Sequence, residues 1–127
     1  MEVIAHIDKS IFSCVSDKIA TTEVIITEER IEHIKERHPN DYETYSQYIP
    51  SIIESPDYII EEPKHPDSAV LMKEIVVAET RFQLVLRLVT STEDEERKNS
   101  VITFLKISEK TWNKYLRNKK VLYKRDQ

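Results

Sequence analysis

Arg81-Phe82-Gln83-Leu84-Val85-Leu86-Arg87-Leu88-Val89-Thr90 sets Phe82, Leu84, Leu86 and Leu88 on one side of an extended chain and Arg81, Gln83, Val85 and Arg87 on the other. A strand of this kind packs one face on helices and leaves polar groups on the second. Strand patterns flank it on both sides: Ala69 to Val77, ahead of a short turn at Glu79-Thr80, and Asn99 to Ile107, after the acidic loop Thr92-Glu93-Asp94-Glu95-Glu96. Such short links predict an antiparallel meander. In the last strand Val101, Thr103, Leu105 and Ile107 share one face and Ser100, Ile102, Phe104 and Lys106 the other, so periodicity leaves its core side open.

Toward the N-terminus the pattern changes from sheet to helix. Tyr58-Ile59-Ile60-Glu61 reads as a strand ending at Pro63, and Ser55-Pro56-Asp57 breaks the segment before it. Asp41 to Ile49 has helical spacing with Tyr42, Tyr45 and Ile49 on a buried stripe, and Pro50 marks a kink or a restart through Glu54. Ahead of that lies Ile26 to Pro39. Thr27 is an N-cap, Glu28 and Glu29 suit the positive end of the helix dipole, and Pro39 supplies the stop. Ile31, Ile34 and His38 fall nearly on one line, whereas Arg30, His33 and Arg37 form a separate polar stripe. Glu2 to Ile7 and Glu23 to Ile26 predict one or two peripheral strands, and Ile11 to Val15 is open between strand and loop. On the C-terminal side Ser108 caps a helix with Trp112, Tyr115 and Leu116 inside, and Asn118 terminates it before Val121-Leu122-Tyr123. The expectation is one α+β domain over residues 1–127, with N-terminal helices on an antiparallel sheet and a C-terminal helix. Residues 1–24 are expected as a peripheral extension and 25–125 as the core.

Composition narrows the function. Lys+Arg number 19 against Asp+Glu 23, a net charge of -4, so any contact with nucleic acid must be local. The basic residues gather at the C-terminal end, where Lys110, Lys114, Arg117, Lys119, Lys120, Lys124 and Arg125 follow one another without an intervening acid. The absence of glycine excludes glycine-rich phosphate loops of the P-loop and dinucleotide types. Cys14 is the only cysteine, which excludes an intrachain disulfide and a cysteine-rich zinc site. No apolar run reaches membrane-span length, and no basic leader region precedes Val3. A cytoplasmic protein without a membrane partner is expected.

His33, Arg37 and His38 place imidazoles near a guanidinium, a combination able to move protons at a phosphate while holding its negative charge. The competing reading is a solvated stripe with a half-buried histidine at the helix end. Arg87, with Ser100, Thr103 and Lys106 on the last strand, could complete a phosphate site, although an exposed ion pair is the commoner role for such an arginine. Ser100 and Thr103 lie on opposite faces of a regular strand, so both reach one site only if the strand bulges. His33 and His38 diverge on a helix, and His6 and His65 have no ligand-like spacing, so no metal or other cofactor is expected.

Residues Thr27 to Pro39, Tyr45 to Pro50, Ser55 to Ile59, Asn99 to Thr103 and Leu122 to Arg125, in that order, resemble the phage-encoded nuclease-like domains of the barnase, EndoU, colicin E5/D and RelE class. The resemblance runs from Thr27 to Arg125, leaving Met1 to Val24 largely outside it. It implies a barnase-like α+β fold and a metal-independent, toxin-like endoribonuclease that cleaves RNA by 2′-OH attack. A catalytically inactive RNA- or protein-binding module of the same fold is the alternative. By position it points to His33, Arg37, His38 and the strand carrying Ser100 and Thr103. We assign proton transfer first to His38 and then to His33, with Arg37 and Thr103 in the catalytic set. Arg87, Ser100, Lys106 and Lys124 are expected to bind substrate, with the basic tail following the RNA backbone. RNA is the expected partner, together with a possible immunity or antitoxin protein.

Overall fold

A computed structural model describes residues 2–90 and 97–126, so the acidic loop expected at 92–96 lies outside the described residues. The chain forms β1 (Ala5–His6), α1 (Lys9–Phe12), β2 (Glu23–Ile25), α2 (Glu28–Arg37), α3 (Asp41–Tyr45), a 3-10 turn at Ser46–Tyr48, and α4 (Ile49–Glu54). Then come β3 (Tyr58–Glu61), β4 (Ser68–Ile75), a 3-10 turn at Val76–Ala78, β5 (Thr80–Arg87), β6 (Asn99–Ile107), α5 (Glu109–Asn118) and β7 (Val121–Lys124). The architecture is α+β.

The two longest helices, α2 and α5, start where side chains bind free backbone N–H groups. Thr27 accepts from Arg30 N at 3.1 Å and Ser108 accepts from Thr111 N at 3.1 Å. Pro50 enters at the start of α4, where its missing N–H is no loss, so the segment restarts there. In a chain without glycine, Asn40 and Glu79 take the left-handed conformation, at φ 73° and 51°. Asn tolerates that region through its short polar side chain, whereas Glu79 carries the steric cost of its Cβ.

All seven strands join one sheet in the order β1-β2-β6-β5-β4-β3-β7. The antiparallel run expected for the three long strands is present as β4, β5 and β6, but the sheet is not a plain meander. β2 pairs in parallel with β6, through Val24 opposite Asn99 and Ile25 opposite Ser100, and β7 closes the far edge against β3. Parallel pairing between strands so distant in sequence has no signal in local periodicity. The first 24 residues, expected as a peripheral extension, supply the edge strand β1 and bury Ala5, Ile7, Phe12 and Val24 in the main core.

That core lies on the face carrying Phe82, Leu84, Leu86, Val101 and Phe104, with Ile34, Ile49, Ile52 and Ile53 contributed by the helices. Phe82 stacks on Phe104 at 5.3 Å between ring centroids and meets Tyr45 edge-on at 5.0 Å. The opposite face has a smaller core of Ile60, Val70, Met72 and Trp112, which α5 covers together with Tyr115 and Leu116. α5 therefore shields the middle of this second face. Its two ends, marked by Arg81 and Arg87, remain open.

β6 decides what the second face presents. Its pairing with β5 slips between Val85 and Leu86: Arg87 faces Ser100 and Leu86 faces Val101, yet Val85 faces Thr103. Ile102 is the extra residue of a β-bulge. Because Val85 and Arg87 point to one face, the bulge puts Ser100 and Thr103 on that face together and lets Val101 and Phe104 both enter the main core. Past Ser100, α2 and α3 lie along β6 in place of a strand, and Asp41 Oδ2 accepts from the Lys106 N–H at 3.1 Å.

Candidate functional site

At the Arg87 end of the second face is a half-open cleft of about 590 Å³. Val85, Arg87 and Ile102 form its floor, Arg30 reaches it from the first turn of α2, and His65 of the β3–β4 connection and Ser68 at the start of β4 border it. Cross-strand pairing sets Arg87 between Ser68 on β4 and Ser100 on β6. The β3–β4 connection is held by its own backbone: Ser68 N donates to His65 O at 2.8 Å and Leu88 N donates to Asp67 O at 2.7 Å. Arg30, Lys64 and Arg87 bring three positive groups to the lining, against Glu62 and Asp67. This local excess of cations contrasts with the negative whole chain.

The start of β6 is fixed by a buried amide. Asn99 is fully buried; its Oδ1 accepts from Val89 N at 2.8 Å and its Nδ2 donates to Thr21 O at 2.8 Å. One side chain thus ties the end of β5, the approach to β2 and the strand that carries Ser100. Lys98 donates to Glu23 at 2.7 Å beside it, and that bond holds the Glu23 carboxyl below its usual range.

The residues singled out in the sequence separate in space. Arg87 lines the cleft; Ser100 stands opposite it and Thr103 opposite Val85, on the same face. Neither His33, Arg37 nor His38 lines it. On α2, Arg30 is the member of the polar stripe that reaches the cleft. His33 is one turn on, about 4.5 Å along the axis, and Arg37 two turns on, about 10 Å. Arg37 is exposed, and His38 is half-buried at the helix C-cap, where its N–H donates to Ile34 O at 2.8 Å. Lys106 is exposed beside α3.

Lys124 belongs to a different cleft, of about 330 Å³, at the Arg81 end of the same face. There the Arg81 guanidinium lies 5.7 Å from the Trp112 ring, and Asp57 is an ionic hub, 3.2 Å from Arg125 and 3.7 Å from Lys73. The structure therefore does not bring Lys124 together with Arg87.

Two contributors to the first cleft escape sequence reasoning. Arg30 reads as one of three residues on a solvated stripe, and only the position of α2 against β6 distinguishes it. His65 lacks a metal-ligand partner in the sequence; its one local signal is its place between Pro63 and Pro66, in a rigid connection beside a strand. Among the described residues no three His, Cys, Asp or Glu side chains are grouped to hold a metal ion. Cys14 is half-buried, and burial pushes its thiol pKa up. Among the described residues no helix is long and apolar enough to cross a membrane.

Fold and cleft together define an α+β protein with a cleft at one end of a sheet face, lined by Arg30, Lys64 and Arg87 beside Glu62 and Asp67. A family model described as phage-Barnase-EndoU-ColicinE5/D-RelE like nuclease2 matches residues 3–124, so the chain belongs to this family of phage-associated, nuclease-like domains. The match takes in β1 and β2, which extends the family unit over the N-terminal segment that the motifs alone left outside it. No curated protein and no solved structure gives a significant match to the chain.

Proposed function

We propose that the chain is an endoribonuclease of barnase-like fold whose scissile phosphate sits between Arg30 and Arg87. The observation that carries this reading is their convergence on one cleft from two distant elements, with His65 on the same lining, in a member of a nuclease-like family. In this reaction the 2′ oxygen attacks phosphorus as a base takes its proton, and the 5′ oxygen leaves with a proton from an acid. The products are a 2′,3′-cyclic phosphate and a free 5′ hydroxyl. Arg30 and Arg87 hold the two non-bridging oxygens as negative charge builds on them. His65 on the lining is one proton-transfer group and His33, outside the lining but one turn along α2 from Arg30, is assigned as the second; Ser100 and Thr103, on the sheet face of Arg87, orient the ribose and phosphate by hydrogen bonding.

Purified protein should cleave RNA in the presence of EDTA and leave cyclic-phosphate ends. Arg87→Ala and His65→Ala should each lower the rate by about 10²-fold or more, at the lower end of what a positioned charge or acid–base group contributes. His38→Ala decides a separate question. A comparable loss would return the leading role to His38, whereas an unchanged rate would remove it from the reaction. Cleavage that stops in EDTA would overturn the metal-independent mechanism.

A second reading is favoured by Glu62 and Asp67 on the lining, carboxylates that oppose the build-up of negative charge on a reacting phosphate. Under it the domain binds RNA, or an immunity or antitoxin protein, without turnover. Its signature is salt-sensitive RNA binding with no product after long incubation.

A further inference from the structure

The Arg30–Arg87 cleft continues into a groove. Glu62, Lys64 and Val85 line both the cleft and a second recess of about 300 Å³, whose other wall is Tyr115 and Lys119 of α5. Tyr115 and Lys119 in turn line a third recess with Lys114 and Asn118. These three spaces form one path from the end of β5, between the β3–β4 connection and α5, and onto the basic side of α5.

The groove is chemically uneven in a way that points to its occupant. Of the acids on its lining, Glu61 is 3.6 Å from Lys120, Glu62 accepts the Lys64 backbone N–H at 3.1 Å, and Asp67 stands at the cleft end. Lys64, Lys114 and Lys119 make no ion pair among the described residues. Midway along, the Tyr115 ring is half-buried, with its hydroxyl 3.5 Å from Gln83 Nε2 on β5 and Lys119 Nζ 5.9 Å from its centroid. A ring held by its packing on the second core beneath a lysine is a platform that a planar group reaches by displacing the lysine. Spaced ammonium groups on either side of a packed aromatic suit a strand of phosphates with unpaired bases, because paired bases keep their faces stacked within the duplex.

We infer that this groove is an extended subsite for single-stranded RNA, in which Tyr115 stacks a base flanking the scissile phosphate while Lys64, Lys114 and Lys119 follow the backbone. The inference rests on the proposed placement of that phosphate between Arg30 and Arg87. It assigns substrate preference to a length of unpaired strand, with Tyr115 and Lys119 as specificity residues that take no part in bond breaking.

The test uses the full chain and fluorescently labelled 2′-O-methyl RNA, which lacks the attacking hydroxyl and stays intact, as a dinucleotide and an octamer. The octamer should bind at least tenfold more tightly. Tyr115→Leu should weaken octamer binding by about tenfold, within the range for loss of one stacked base, while Tyr115→Phe keeps it within about twofold. Lys114→Ala and Lys119→Ala are exposed changes that leave the core intact, and each should reduce the salt slope of octamer binding by about 0.7. Equal affinity for the two lengths, or Tyr115→Leu and both lysine variants binding the octamer like the parent, would overturn the groove while leaving the cleft assignment standing. Absence of binding at either length would overturn both.

Discussion

Single residues carry the junctions of this molecule, and Asn99 is the clearest case. Replacing it with Ala leaves the buried Val89 N–H without a partner, at about 1–3 kcal/mol, and the half-buried Thr21 carbonyl likewise, at the low end of about 1 kcal/mol. Asn99→Ala should therefore lower unfolding stability by about 2–4 kcal/mol in denaturant titration. Asn99→Asp should also be destabilising, because a carboxylate cannot donate to Thr21 O. Lys73 is a second case. Its Nζ donates to Ser55 O at 2.6 Å and is 3.7 Å from Asp57, yet burial dominates and pulls its pKa below the ordinary 10.5, with Asp57 opposing the shift and Arg125 adding to it. The folded chain thus releases this proton at lower pH than the unfolded chain. Between the two pKa values the unfolded chain binds more protons, so stability rises with pH across that window, up to about 10.5. Stability measured from neutral pH upward should show this rise, and Lys73→Met should remove its share.

At the scale of elements, what was legible in the sequence followed from local chemistry. Thr27 and Ser108 mark the starts of α2 and α5, Pro50 marks a restart, and the polar–apolar alternation of Arg81 to Leu88 identifies β5 and its two faces. The core side of β6 was not legible because the bulge at Ile102 breaks the period that such a reading depends on. Of the residues singled out in the sequence, Arg87 lines the cleft, and Ser100 and Thr103 share its sheet face, positions that follow from strand pairing. Arg30 and His65 enter through the placement of a helix and a connection against that sheet, which no window of sequence encodes. The β4–β5 connection makes its own prediction. Glu79 sits at φ 51°, so Glu79→Gly should relieve the steric cost of that conformation. The gain, offset by the greater freedom of an unfolded glycine, should reach up to about 1 kcal/mol in thermal or denaturant unfolding.

For the whole molecule, the N-terminal segment is integral. Phe12 and Val24 are fully buried, and Ala5 and Ile7 nearly so. Burying a side chain the size of Ile, Val or Phe contributes about 1.5–3 kcal/mol, so removing residues 1–25 takes away an amount comparable with the whole net stability of an ordinary domain. The shortened chain should lose its cooperative unfolding transition.

The parallel pair of β2 with β6 has a consequence for the order in which this protein is made. Val24 leaves the ribosome long before Asn99, its neighbour in the sheet, so the β1–β2 pair must wait with one edge unoccupied while the residues between Val24 and Asn99 are synthesised. Ile102, part of the cleft floor, emerges only a few residues later. Architecture and cleft therefore mature together, once β6 is available, and a product terminated before β6 acquires neither.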